Sequence, residues 1–292
     1  MMKVIKFKKL EKRKLEKNIF IFLIVFISLL FTVKSYSNPL DLFHNKKNKF
    51  SENIITKVKY DEITVNRIED IYKEREGLYV FSNVNIDLRK ISSEKRKDIF
   101  VKLLLPSIKV VEQEILNNRK IVKKLKIKNN LTMAEKVYAE NLFKKYKTEY
   151  GNWEELESKM IIYPTSLILS QGAIESAWGT SRFFREANNA FGIWSTNINE
   201  SRISAKGSRG TFTPHLKKYP TLKDTVEDIT LVISRSPAYY KVRKMIWEGK
   251  SSYEIAGGLI KYSEEGHVYV KKVRNTLSYN KFEKYDTKTK KI

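Results

Sequence analysis

The sequence has no cysteine and only three histidines, His44, His215 and His267, in 292 residues. Without cysteine there is no disulfide scaffold, thiolate zinc site, thiol nucleophile or lipidated cysteine anchor. The histidines never form HExxH, and none stands near Ser176 to serve a Ser–His pair. GxSxG, Walker and GxGxxG patterns are also missing, so no metal or cofactor is implied. Glycine and proline are few, 11 and 6, which excludes a low-complexity chain. No internal repeat is present, and the 41% hydrophobic content is enough for a full core.

Acidic residues are few relative to basic ones. Asp and Glu number 33 against 57 Lys and Arg, a net charge of +24. That charge favours polyanions such as nucleic acid, anionic lipid or an acidic cell wall, and also fits Lys-rich composition alone. The cations are spread along the chain and no RNP-type or zinc-finger pattern occurs, so no nucleic-acid partner is expected.

Long hydrophobic runs are absent but for one. Ile19 to Val33 (IFIFLIVFISLLFTV) follows eighteen residues that hold eight Lys/Arg and two Glu. As a helix it spans about 22 Å, short of a hydrocarbon core of about 30 Å. Residues 1–37 therefore read as a signal peptide with Ser35-Tyr36-Ser37 as cleavage site, or as an uncleaved anchor giving membrane association through residues 19–33. Either way the remainder is expected to be exported.

Residues 38–94 form a lead-in, with Gly77 to Ile86 as a short strand or apolar docking segment. From 95 to 285 helical spacing dominates, before a basic tail at 286–292. Phe100, Leu103, Leu104, Ile108, Val111, Ile115 and Ile121 form one stripe, kinked or bounded at Pro106. Thr132/Glu135, Thr221/Asp224 and Ser251/Glu254 open helices, and Trp153 to Met160 and Gly266 to Leu277 are two more. Thr165 or Ser166 caps a helix that Gly179 ends. Residues 197–219, with Gly207 and Gly210 as turn residues, predict a β-hairpin excursion.

That last-named helix carries the one acid in unusual company, Glu175 in SQGAIESAWG. Helical spacing puts Gln171, Ile174 and Trp178 within a turn of it. Burial beside apolar groups raises a carboxyl pKa, and a carboxyl still protonated near neutral pH can donate to a leaving oxygen. The alternative is a structural glutamate paired with Arg182 or Arg185.

QGAIESAWGTSRF followed by NNAFGIW resembles the glucosaminidase domain of glycoside hydrolase family 73, with its A-x-E-S-x-W-G and N-x-F-G-I motifs. FVKLLLPSIKVVEQEI, LKKYPTLKDTVEDI, SPAYYKVR and KYSEEGHVYV are similar to segments of its Bax-like envelope branch, so the resemblance covers roughly residues 95–282. It implies a lysozyme-like, mainly α fold with a small β-hairpin lobe, and cleavage of peptidoglycan glycan strands at N-acetylglucosamine. Glu175 is then the general acid. Asn188, Asn189, Phe191, Gly192 and Trp194 would wall the groove, where amides bond hydroxyl and acetamide groups and aromatic faces cover pyranose rings. Gln171 and Trp178 join as binding residues.

Glycosidases usually use two acids. Between Glu186 and Asp224 only Glu200 stands, a candidate base with Arg202, Lys206 and Arg209 nearby to keep it ionised. Substrate acetamide assistance is the alternative. Tyr239, or its neighbour Tyr240, and Tyr262 are further groove candidates. Glu264 and Glu265 read as a helix-start pair. A catalytically silent wall-binding protein and a lytic transglycosylase remain open beside the hydrolase.

Overall fold

The computed structural model describes residues 55–205 and 213–287. The apolar run at 19–33, the site at 35–37, His44, Lys206, Gly207, Arg209 and Gly210 lie outside the described residues. Among those described, no helix is long and apolar enough to cross a membrane.

Strand β1 (Asp61–Val65) is followed by α1 (Glu69–Tyr72) and β2 (Tyr79–Val84). β1 and β2 pair in parallel, Asp61 opposite Tyr79, with the register shifting between Ile63 and Thr64. Val80 and Phe81 are fully buried, so the Gly77–Ile86 segment is both a strand and a docking surface. Helix α2 (Ser93–Lys126) then runs 34 residues without a break. Pro106 lies inside it and is not a boundary; burial of Leu103, Leu104, Ser107 and Ile108 around it offsets the missing N–H. The core extends back from α2 to Val65, Phe81 and Leu88, which belong to the same apolar cluster as the helices that follow.

Helices α3 (Met133–Tyr146), α4 (Trp153–Lys159), α5 (Thr165–Glu175) and α6 (Arg182–Ala187) come next. β3 (Arg202–Ser204) and β4 (His215–Lys217) pair antiparallel as the small lobe the sequence predicts, Ile203 opposite Leu216, with Trp194 bridged to Leu216. The chain closes with α7 (Leu222–Arg235), α8 (Tyr240–Trp247), α9 (Ser252–Ile255) and α10 (His267–Tyr279). The expected architecture, mainly α with a small β lobe, is the one found. All three sequence-read capping boxes form, at Thr132, Thr221 and Ser251.

Helix α5 is the axis of this arrangement. Every residue from Thr165 to Ala173 is buried, enclosed by α2, α10 and the 3₁₀ turn Phe282–Tyr285. Its N-terminus is not capped by Thr165 or Ser166. Pro164 precedes it without a side-chain cap, and Asp286 supplies the acceptor from 120 residues away. Asp286 Oδ1 accepts from the Ser166 N–H at 2.8 Å, and Oδ2 accepts from the Ser166 hydroxyl at 2.7 Å and from the Ser252 hydroxyl. An anion here also complements the helix dipole. Asp286→Ala is expected to lower unfolding free energy by about 1–2 kcal/mol, the usual size of a lost cap. Chemical denaturation measures it, and unchanged stability would deny Asp286 that role.

Candidate active site

Helix α5 ends on Glu175 itself. The Ser176 hydroxyl donates to the Gly172 carbonyl at 2.6 Å and accepts from the Gly179 N–H at 2.8 Å, which closes the helix. Ala177, Trp178 and Gly179 then all take positive φ, 49°, 59° and 79°. This reversal removes Trp178 from the helical phase that would have set it beside Glu175. Its ring instead packs edge-on against Phe100 at 5.8 Å and 6.2 Å from Phe282, with Lys97 Nζ 5.2 Å from the ring centre. The arginine alternative is not realised either: Arg182 pairs with Glu186 at 3.2 Å, and neither it nor Arg185 perturbs the Glu175 carboxyl.

Glu175 is half-buried, and desolvation pushes its carboxyl above the ordinary range. The Tyr269 hydroxyl pulls the other way, as does Lys272, while Glu265 adds to the rise. The last turn of a helix carries the negative end of its dipole, which further disfavours a carboxylate there. Gly192, at φ 64°, faces the acid: a Cβ at that position would sit 4.0 Å from Glu175 Oε2.

A buried polar chain leads to the acid. Tyr163 donates to Gln171 Oε1 at 2.6 Å, and Gln171 Nε2 donates to the Tyr269 oxygen at 3.3 Å. Gln171 is fully buried, so it positions Tyr269 and has no face left for a ligand. Tyr262 stacks on Tyr269, with centroids 5.2 Å apart and planes 16° from parallel. Its hydroxyl donates to the Phe191 carbonyl at 3.5 Å. Tyr239 is buried, its ring 6.5 Å from Tyr262, whereas Tyr240 points to solvent. Burial raises the pKa of all four tyrosines, and each stays a neutral hydroxyl.

The NNAFGIW segment divides into framework and surface. Asn188 ends α6 in the left-handed region, and its amide donates to the carbonyls of Ser82 at 2.7 Å, Tyr219 at 3.0 Å and Pro220 at 3.1 Å. Asn189 is buried. Its amide donates to Ile193 O at 3.0 Å and Lys217 O at 2.9 Å, and its oxygen accepts from the Ile193 N–H at 3.0 Å. Both asparagines therefore fasten the β lobe to the helices, and their amides are occupied. Phe191 is in the core against Gly172. Gly192 and Trp194, the latter 53% exposed, are the members open to a ligand.

Glu200 lies on the lobe 3.8 Å from Lys217 Nζ, which also holds Asp228 at 2.8 Å. Among the described residues the cation paired with it is Lys217 and not Arg202; Lys206 and Arg209 lie outside them. Asp228 accepts from the Tyr219 hydroxyl at 2.7 Å. Burial, then the charge and hydrogen bond of Asp228, push the Tyr219 pKa up, with smaller contributions from Glu200 and Tyr262. Tyr163, Lys217, Tyr219, Asp228 and Tyr269 are site residues that spacing could not single out. Tyr269 stood inside the KYSEEGHVYV segment, where its separation from Glu175 in the chain hid the contact.

The chain is similar to several known proteins. The glucosaminidase family, described as mannosyl-glycoprotein endo-beta-N-acetylglucosaminidase, matches residues 150–289. The protein named Protein bax of Escherichia coli (strain K12) is 28% identical over 169 residues, 54% of this chain and 58% of that protein. The match thus spans a little over half of the curated relative's length. Among solved structures, a peptidoglycan hydrolase from Sphingomonas sp. A1 is similar at 19% identity, covering 42% of this chain and 79% of its own, with a TM-score of 0.35. The catalytic domain of the autolysin Auto from Listeria monocytogenes is similar at 18% identity, 59% and 97% coverage and a TM-score of 0.36. A truncated glycoside hydrolase domain of Salmonella typhimurium FlgJ gives 20% identity, 50% and 97% coverage and 0.34.

Two measurements test the electrostatics. Tyr269→Phe removes the group that favours the charged form, so the Glu175 carboxyl should titrate at still higher pH, as read by carboxyl carbon NMR. An unmoved titration would sever the two residues. The folded pKa of Glu175 is raised above its unfolded value, so the folded chain binds the extra proton. Its contribution to stability is complete below an unfolded pKa of about 4.3 and is lost as pH rises through the folded one. Glu175→Gln should therefore melt higher than wild type at neutral pH, with the gap closing near pH 4. A constant gap would contradict this.

Proposed function

We infer, from the match of the glucosaminidase family to residues 150–289, that the chain is a glycoside hydrolase exported to the cell envelope, where it cuts peptidoglycan glycan strands at N-acetylglucosamine. The observation that carries this reading is the half-buried carboxyl of Glu175. It ends a buried helix, its neutral form is favoured, and it faces Gly192, two positions before the exposed ring of Trp194. A proton held there passes to the glycosidic oxygen as the sugar becomes oxocarbenium-like. Burial keeps the proton on, and once it has passed to the sugar the Tyr269 hydroxyl and the charge of Lys272 favour the carboxylate left behind.

Trp194 supplies an apolar face for a pyranose ring, and the left-handed backbone at Gly192 lets the strand approach the acid without a side chain between them. Water completes the reaction. Glu200, paired with Lys217 on the lobe, is the base that activates it, or the substrate acetamide takes that place. The apolar run at 19–33 directs export, and the charge of +24 holds the enzyme near an anionic wall in a salt-dependent way.

Mass spectrometry of purified peptidoglycan digested by the chain, with Glu175→Gln in parallel, tests the reading. Fragments with reducing N-acetylglucosamine ends from wild type only are expected. Anhydro-muramyl ends would make it a transglycosylase, and an untouched wall would make it a binding protein.

A further inference from the structure

We propose that the chain carries a second saccharide site, built from Trp178, Tyr279 and Lys97 with Asn275, Thr276 and Asn280, that holds the glycan strand away from the point of cleavage. The proposal rests on the polysaccharide reading above for its ligand class and on separate residues for its geometry.

Two consecutive side-chain-bearing residues, Ala177 and Trp178, adopt left-handed backbone, which crowds Cβ against the following carbonyl. Strain of this kind persists only where the surroundings impose it, and it marks functional places. Here it carries a tryptophan off the end of α5 and sets its partly exposed ring at the surface. Lys97 Nζ lies 5.2 Å from the centre of the Trp178 ring and 5.2 Å from that of Tyr279, so the two rings flank one point. Tyr279 is 81% exposed and ends α10.

These groups line an open cavity of about 580 Å³ whose walls add amides and hydroxyls and contain no acid. Aromatic faces, amides and one cation suit an N-acetylated sugar bearing a carboxylate: the rings cover its apolar faces, the asparagines bond its acetamide and hydroxyls, and Lys97 meets the negative charge. A purely apolar protein partner would leave the Asn275 amide and Lys97 unsatisfied.

Helix α10 carries both Tyr279 of this site and Tyr269, the hydroxyl partner of Glu175. Lys272, Thr276 and Tyr279 follow i, i+4, i+7 spacing and share one face of α10. Lys272 is a charge neighbour of Glu175. Tyr279 lies about 10 Å along the helix axis from Lys272, at 1.5 Å rise per residue.

The test uses the full chain with Glu175→Gln, so that the probe is not consumed. Purified peptidoglycan and soluble glycan strands freed of their peptides serve as probes, in cosedimentation and in tryptophan fluorescence titration respectively. Tyr279→Ala with Lys97→Ala should weaken binding to both roughly tenfold, while Ile127→Ser, at an exposed position elsewhere, should not. Both altered side chains lie at the surface, and matching thermal melts will show that the fold is kept. Unchanged binding in the double variant overturns the site. Binding of the parent to intact wall but not to peptide-free strands overturns its saccharide class. Digestion by the chain with Glu175 intact runs alongside, so a failed hydrolase reading shows as absent products and leaves the binding comparison readable.

Discussion

A helix without a solvent-facing stripe must be satisfied by its neighbours at every turn, and α5 is such a helix. Leu167, Ile168, Leu169 and Ala173 are buried on all sides, and Ser166, Ser170 and Gln171 are buried with them. Their polar atoms need partners inside the protein. Asp286 meets Ser166, the Ser166 carbonyl meets the Ser170 hydroxyl, and Tyr163 and Tyr269 meet Gln171. The enclosure that these contacts complete fixes where the helix emerges, and it emerges at Glu175. The acid's depth and its tyrosine neighbour follow from the packing of the helix it ends.

Desolvation alone does not mark this acid. Glu112 and Glu114 are also buried with raised pKa values. Glu114 has Lys223 at 2.9 Å, and Glu112 accepts from the Thr165 hydroxyl at 3.1 Å and the Thr287 hydroxyl at 3.2 Å. Glu227, between Lys145 and Lys223, goes the other way, since two cations outweigh its burial. These acids are engaged in structure, which is what a chain with 57 cations would be expected to do with its few buried carboxylates. Glu175 combines burial with no direct ion pair among the described residues, and with an opening at Gly192.

The β lobe is held by main-chain and amide bonds more than by apolar packing. Its two strands are three residues each, and Leu216 is the one buried residue in them. Asn188 and Asn189 make up the difference with six hydrogen bonds to the lobe and its surroundings. This arrangement sets Trp194 and Glu200 at a defined position relative to the helices while leaving their side chains toward solvent.

The local signals were legible in the sequence. Three capping boxes, the α2 stripe and the hairpin excursion each depend on residues close in the chain, and each formed where its pattern lay. The acid was legible too, because SQGAIESAWG sets a carboxylate among apolar neighbours within a few positions. Tertiary structure decided the rest. The helical phase that joined Trp178 to Glu175 failed when three left-handed residues reversed the chain after α5. Gln171 and the two asparagines, whose amides suit a sugar, were taken by tyrosines and carbonyls brought from elsewhere in the fold. The N-cap of α5 came from Asp286, and the partner of Glu175 came from Tyr269, 94 positions away. Composition and spacing report which groups a segment can offer; which of them are consumed by the protein depends on what the fold packs against them.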